Sequence, residues 1–200
     1  MPEELDYVNY QLNRFDNSYD TIIKALDIKP IKHALNSPGI EAYGEHQYDM
    51  VRLGIGMYGY SEHTDFMQKY LKPVVRFKTV ISQISELKKG ETVSYGRRFT
   101  AERATKIATL PVGYADGIRR ALGYGKGKVG INGKLATITG TICMDMMMVD
   151  VTDISCKEGD EVTIFGNSPT LVDVTKWLET IPYEVLTSVS QRIKRVYYKE

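Results

Sequence analysis

The segment Thr109-Leu-Pro-Val-Gly-Tyr-Ala-Asp-Gly-Ile-Arg-Arg120 places one phenol, Tyr114, between an apolar run and a turn containing two glycines, an aspartate and two arginines. A tyrosine there either fills a gap with its hydroxyl in water or acts as a base. A free phenol titrates near pH 10, so a basic role requires a cation or hydrogen-bond donors that stabilise the phenolate. Arg119 and Arg120 are close in sequence. A second cluster, Cys143-Met144-Asp145, sets a charge between the apolar runs 138–142 and 146–151. It is either a strand-end turn or a place where a backbone N–H and a carboxylate meet a small polar substrate. Upstream, Ser37 of HALNS and the turn Gly54-Ile55-Gly56 offer a hydroxyl and backbone N–H groups. Such donors suit a phosphate, although the same glycines also serve a strand exit. Arg52 lies inside the apolar run 50–53. A buried guanidinium needs a partner there: a carboxylate such as Asp49, a carbonyl, or a ring nitrogen of a bound heterocycle. His33, on a neighbouring segment, is placed to orient it.

The elements that must position these groups change character along the chain. In SYDTIIKAL, Ser18 reads as the cap of a helix ended by residues 27–30. IKHALNS and DMVRLGIGMYGY read as two buried strands, the second with a glycine-rich exit. This helix–strand–loop–strand rhythm indicates pieces of an α/β sheet. From Lys72 the pattern becomes all-β. VVRFKTVISQISEL reads as one long alternating strand, followed at short intervals by ETVSYG, TKIATLPV, GKVGI, KLATITGTI, MMMVDV and DEVTIFG. Asn132-Gly133 between two of these runs predicts a tight hairpin. Many short strands indicate a barrel or sandwich. Near the end, VDVTKWLET predicts a helix with Val174, Trp177 and Leu178 on one face. Pro182 breaks it, YEVLTSVS starts another helical turn, and RIKRVYY reads as a closing strand.

The bulk composition sets broad limits. The chain has 200 residues, 42% of them hydrophobic and 26% charged, with a formal net charge of +1. That is the profile of a globular chain with room for a sizeable core, and it advertises neither nucleic acid nor an anionic membrane. No apolar run reaches the length of a membrane span, and the acidic MPEELDYVNY is unlike a signal peptide. Cys143 and Cys156 fit neither a metal-ligand spacing nor a disulfide framework, which points to a reduced, cytoplasmic setting. Fourteen tyrosines against five phenylalanines favour a polar, tyrosine-lined site.

In this order the motifs resemble the alanine racemases, which use pyridoxal 5′-phosphate. HALNS, VRLGIGMYG, VSYGRRF, TLPVGYADG, GTICMD and YEVLTSVSQRIKRVY carry the likeness, which covers the chain from about residue 30 onward and more loosely before it. The resemblance implies an α/β part followed by a β part. Residues 1–65 would be the last strands and helices of a (β/α)8 barrel that binds the cofactor, and residues 66–200 a mostly-β, barrel-like domain. It also implies interconversion of L- and D-alanine by two-base proton transfer, supplying D-alanine for peptidoglycan in the cytoplasm. The implied assembly is a homodimer in which the β domain of one subunit reaches the barrel mouth of the other.

Residue by residue, Tyr114 matches the family's catalytic base. Met144 matches the residue whose N–H meets the substrate carboxylate, with Asp145 beside it. Ser37, Gly54 and Ile55 match the phosphate donors. Arg52 matches the arginine facing the pyridine nitrogen, which an always-protonated guanidinium would keep largely unprotonated. His33 matches the histidine supporting that arginine.

The sequence departs from the family pattern in two places. Gln191 stands where many members carry a phosphate-binding tyrosine, and its amide can still donate. The family's cofactor-anchoring lysine lies far upstream of the serine, and none of Lys24, Lys29 and Lys32 stands in its motif. A complete barrel takes roughly 200 residues or more by itself, so the chain is expected to be the C-terminal portion of a longer enzyme and inactive alone. Two alternatives stay open: a racemase of broader specificity or a related barrel decarboxylase, the latter disfavoured by Tyr114, and a non-catalytic β module for binding or oligomerisation.

Overall fold

The computed structural model describes residues 2–61 and 68–198, which divide into two compact units, residues 1–72 and 73–200. The N-terminal unit is dominated by α1 (Pro2–Leu26). Leu5, Val8, Leu12, Phe15, Tyr19, Ile22 and Leu26 recur at alternating steps of three and four, which lays an apolar stripe along the helix. Ser18 is therefore mid-helix and not a cap. Once a helix is nucleated, each added turn is cheap, and the stripe continues upstream of Ser18. The helix stops where Asp27 adopts a left-handed conformation, φ 51°.

The two strands expected around HALNS and VRLGIG are corrected to a single parallel bridge between His33 and Met50. The Asp49 N–H donates to Lys32 O at 3.0 Å and the Arg52 N–H to Leu35 O at 2.8 Å, so residues 32–35 and 49–52 do run side by side. Two turns of pairing are too few to make strands. Between them, α2 (Ser37–Ala42) is capped by Asn36, whose Oδ1 accepts the Gly39 N–H at 3.0 Å.

The β unit contains β1 (Phe77–Val80), β2 (Gln83–Leu87), β3 (Thr92–Val93), β4 (Phe99–Thr100), β5 (Thr105–Leu110), β6 (Lys128–Ile131), β7 (Lys134–Thr139), β8 (Met147–Asp150) and β9 (Glu161–Phe165). Seven of these form one sheet in the order β1-β9-β6-β7-β8-β5-β2, with every neighbouring pair antiparallel. The two edge strands are successive halves of one chain run. The expected long strand breaks at Ile81-Ser82, where the chain changes partner: the Ile81 N–H bonds Asp160 O at 3.0 Å and the Ser82 N–H bonds Thr109 O at 2.9 Å. One chain run thus supplies both edges of a curled, barrel-like sheet, β1 pairing with β9 and β2 with β5.

Ile107, Leu110, Val129, Ile131, Ile138 and Val149 are buried in the core, each worth about 1.5–3 kcal/mol of transfer free energy. Asn132 and Gly133 form the expected two-residue hairpin, both with positive φ (48° and 78°), and Ile131 pairs with Lys134. Outside the barrel lie α3 (Leu171–Leu178), begun by a Thr170–Asp173 capping box, and α4 (Pro182–Ser188). The closing strand expected at RIKRVYY is absent from the described residues. Arg195 folds back onto the Val189, Ser190 and Ile193 carbonyls, and Tyr197 and Tyr198 are exposed. No described helix is long and apolar enough to cross a membrane.

Candidate active site

Strand β5 ends at Leu110, and Val112 stays buried as the chain enters a single helical turn at Tyr114–Asp116. This geometry lifts the Tyr114 side chain to the surface, where it is 47% exposed. The turn is held from below. Asp116 is buried and its Oδ2 accepts the Gly113 N–H at 2.8 Å. The Tyr114 N–H donates to Cys143 O and the Ala115 N–H to Met144 O, both at 3.0 Å. GYADG and Cys143-Met144-Asp145 are thereby stitched together through their backbones.

Glycine is required at two points of this seam. A Cβ on Gly113 would stand 2.3 Å from Cys143 O, and one on Gly117, at φ +103°, 2.3 Å from Ser188 O. The C-terminal end of α4 completes the cluster: the Ser190 N–H donates to Asp116 O at 3.1 Å. Arg192 donates from Nε to Asp116 Oδ1 at 2.7 Å and from Nη2 to Asp145 Oδ1 at 2.6 Å. Burial raises the Asp116 carboxyl, but the bonds from Arg192 and Gly113 outweigh it and leave the group below its ordinary value.

Met144 and Asp145 are both exposed at this end of the barrel, whereas Met147 and Met148 belong to the core. Gln191 is exposed in the turn beside Arg192. Arg119 pairs with Glu184. Burial pushes the Cys143 thiol up, with Arg120 opposing, and both cysteines are free.

In the N-terminal unit, the two phosphate-donor motifs meet. Ser37 is 2% exposed, and its Oγ accepts the Gly54 N–H at 2.8 Å and the Gly56 N–H at 3.3 Å. Ile55, expected as a donor, is itself buried, and its carbonyl accepts the Tyr60 N–H at 3.4 Å. Arg52 is exposed, not buried in a strand, and its Nη2 donates to Ala34 O. His33 and Arg52 both line an open cleft of about 1290 Å³, which also includes Leu12 and Phe15 of α1. They are not hydrogen-bonded to each other: His33 Nδ1 is buried with no partner among the described residues. Lys32 is engaged elsewhere, bonded to Asp16 at 2.7 Å and lying 4.4 Å from the centre of the Tyr48 ring. Among the described residues no group of three or more His, Cys, Asp or Glu side chains could hold a metal ion.

A family model described as "Alanine racemase, C-terminal domain" matches residues 74–197, and one described as "Alanine racemase, N-terminal domain" matches residues 1–62. The chain belongs to the alanine racemase family. It is 43% identical to the alanine racemase of Clostridium novyi over 97% of this chain and 52% of that protein. Two solved structures are also similar. The alanine racemase of Clostridium difficile in complex with cycloserine has a TM-score of 0.86 and 36% identity, covering 94% of this chain and 51% of that one. The alanine racemase of Bartonella henselae with covalently bound pyridoxal phosphate has a TM-score of 0.82 and 34% identity, covering 96% and 52%. The chain therefore spans about half the length of the alanine racemases it matches.

Sequence reasoning missed Asp116 and Arg192 in this candidate site. Asp116 was visible inside GYADG as a carboxylate three residues after a glycine, the spacing of a capping turn. Arg192 gave no local signal, since its two partners lie 76 and 47 residues away.

Proposed function

We propose that this chain is the C-terminal portion of a cytoplasmic, pyridoxal-phosphate-dependent alanine racemase that interconverts L- and D-alanine and supplies D-alanine for peptidoglycan. Residues 1–65 are the closing piece of its cofactor-binding barrel and residues 66–200 its β domain. In the homodimer, the β domain of one subunit presents Tyr114 to the cofactor held by its partner. The observation that carries this reading is the half-exposed Tyr114 phenol, stitched by backbone bonds to the Met144-Asp145 loop at one end of the barrel.

The N-terminal unit fits the cofactor. Two backbone N–H groups and a buried hydroxyl converge at Ser37, a donor set for a phosphate, and His33 carries a buried ring nitrogen without a partner. Ser37, Gly54 and Ile55 would hold the phosphate. Arg52 would face the pyridine nitrogen, supported by His33. When bound, pyridoxal phosphate accepts the electrons left behind as the α-proton of an amino acid departs.

The chain's own residues serve one face of the substrate. Tyr114, as phenolate, takes the proton at Cα from one face and, as phenol, returns it there in the reverse direction. A second base acts on the opposite face. The Met144 N–H orients the substrate carboxylate, with Asp145 beside it, so that Cα faces the phenol. Tyr114→Phe keeps the ring and removes the proton-transfer group. In the full-length racemase carrying this sequence it should slow exchange of the alanine α-proton by roughly 10²–10⁴-fold, with cofactor binding little changed. Unchanged turnover in both directions would rule out Tyr114 as a base.

A further inference from the structure

The two loops of the candidate site share one cation. Arg192 reaches Asp116, beneath the Tyr114 turn, and Asp145, next to Met144. The other oxygen of Asp116 holds the Gly113 N–H, one residue before Tyr114. A guanidinium presents its donors in a rigid planar fork, so a bridge through Nε and Nη2 sets the distance and angle between two carboxylates as well as neutralising them. Lysine is a point charge on a flexible stem and cannot impose both. The carboxylates differ in mobility: Asp116 is fixed by burial and by the Gly113 N–H, whereas the Asp145 side chain is 55% exposed. Arg192 thus ties an exposed loop to an immobile one. Its own backbone is anchored beside Ser190, whose N–H bonds Asp116 O.

We propose that Arg192 is a positioning residue: by bridging Asp116 to Asp145 it fixes the Tyr114 phenol relative to the Met144 amide. This rests on the reading of Tyr114 as base and Met144 as carboxylate contact. Arg192 touches neither group and acts through the two aspartates.

The test has two arms. In the 200-residue chain, hydrogen exchange is measured for Arg192→Met and Arg192→Lys. The Tyr114 and Ala115 amides, which bond the 143–144 carbonyls, should exchange at least ~10-fold faster in Arg192→Met. The β7 and β8 amides should keep wild-type rates, reporting an intact barrel. Unchanged exchange at Tyr114 and Ala115, or acceleration spread equally over β7 and β8, would overturn the proposal.

In the full-length racemase, Arg192→Lys should lower kcat for alanine by about 10-fold or more, because small misplacement of a reacting group is costly. Asp145→Asn, which weakens only one arm, should raise KM with a smaller loss of kcat. Wild-type kcat and KM in Arg192→Lys and Arg192→Met would overturn the positioning role while leaving Tyr114 as base. Wild-type turnover in Tyr114→Phe, with exchange still responding to Arg192, would instead remove the catalytic reading and keep the bridge.

Discussion

The two units satisfy their own surfaces to very different degrees. The β unit joins seven strands in one sheet, buries Ile107, Val129, Ile138 and Val149 almost completely, and seats its buried carboxylate, Asp116, on an arginine and a backbone N–H. The N-terminal unit buries only Leu12 from the apolar stripe of α1 among its described positions. It carries an open cleft of about 1290 Å³ and leaves His33 Nδ1 unpartnered. The lesson is that candidate functional groups sit in opposite mechanical settings. Tyr114 and Met144 are fixed by a scaffold complete within the unit, whereas Ser37, Arg52 and His33 stand beside apolar surface that their own unit does not cover.

The largest effect should come from the barrel core. Ile138→Ala should cost about 2–5 kcal/mol, since the packed core around this buried side chain has little freedom to collapse around the cavity. Trp177 is the sole tryptophan and belongs to α3, so its fluorescence in urea follows this unit alone. A loss below 1 kcal/mol would mean that the barrel is not the tight scaffold described.

Gly117→Ala comes next. Its Cβ would meet the Ser188 carbonyl, which belongs to backbone and cannot swing aside, and the positive φ adds strain. A loss of about 1–3 kcal/mol is expected. The same change at Gly90, also at positive φ but with open space around it, should cost about 1 kcal/mol or less and so isolates the clash.

Acid sharpens the comparison further. The Asp116 carboxyl is held below its ordinary value of 3.8. A depressed carboxylate contributes stability that is present above the unfolded value and lost as pH falls through the folded one. The stability of the β unit should therefore decline as pH drops below about 4, and Asp116→Asn should flatten that acid limb. An unaltered limb in the variant would show that other carboxylates control it.

The smallest effect is expected in the open unit. Leu12→Ala should cost about 1 kcal/mol, because neighbours lining an open cleft can relax around the gap. Far-UV circular dichroism through thermal unfolding measures it. A loss as large as that of Ile138→Ala would erase the contrast between the units.

Legibility in the sequence followed the same divide. The Asn132-Gly133 hairpin was readable because it is decided by residues that are adjacent in the chain. The runs around β5 to β9 were readable because a half-buried strand alternates with period two. Helix α1 was placed too short, since Ser18 looked like a cap while the apolar stripe already extended upstream to Leu5. Arg52 looked buried because its neighbours are apolar, yet two bridging hydrogen bonds do not make a strand that could bury it.

The sequence by itself determined the element types, the turn chemistry and the family, because propensity, periodicity and motif order are local or linear properties of the chain. Tertiary structure alone decided that residues 77–87 supply both edges of one sheet and that RIKRVYY adds no strand to it among the described residues. It also decided that Arg192 spans two carboxylates from distant loops. Strand partnership and charge pairing depend on which segments meet in space, and no spacing along the chain encodes that meeting.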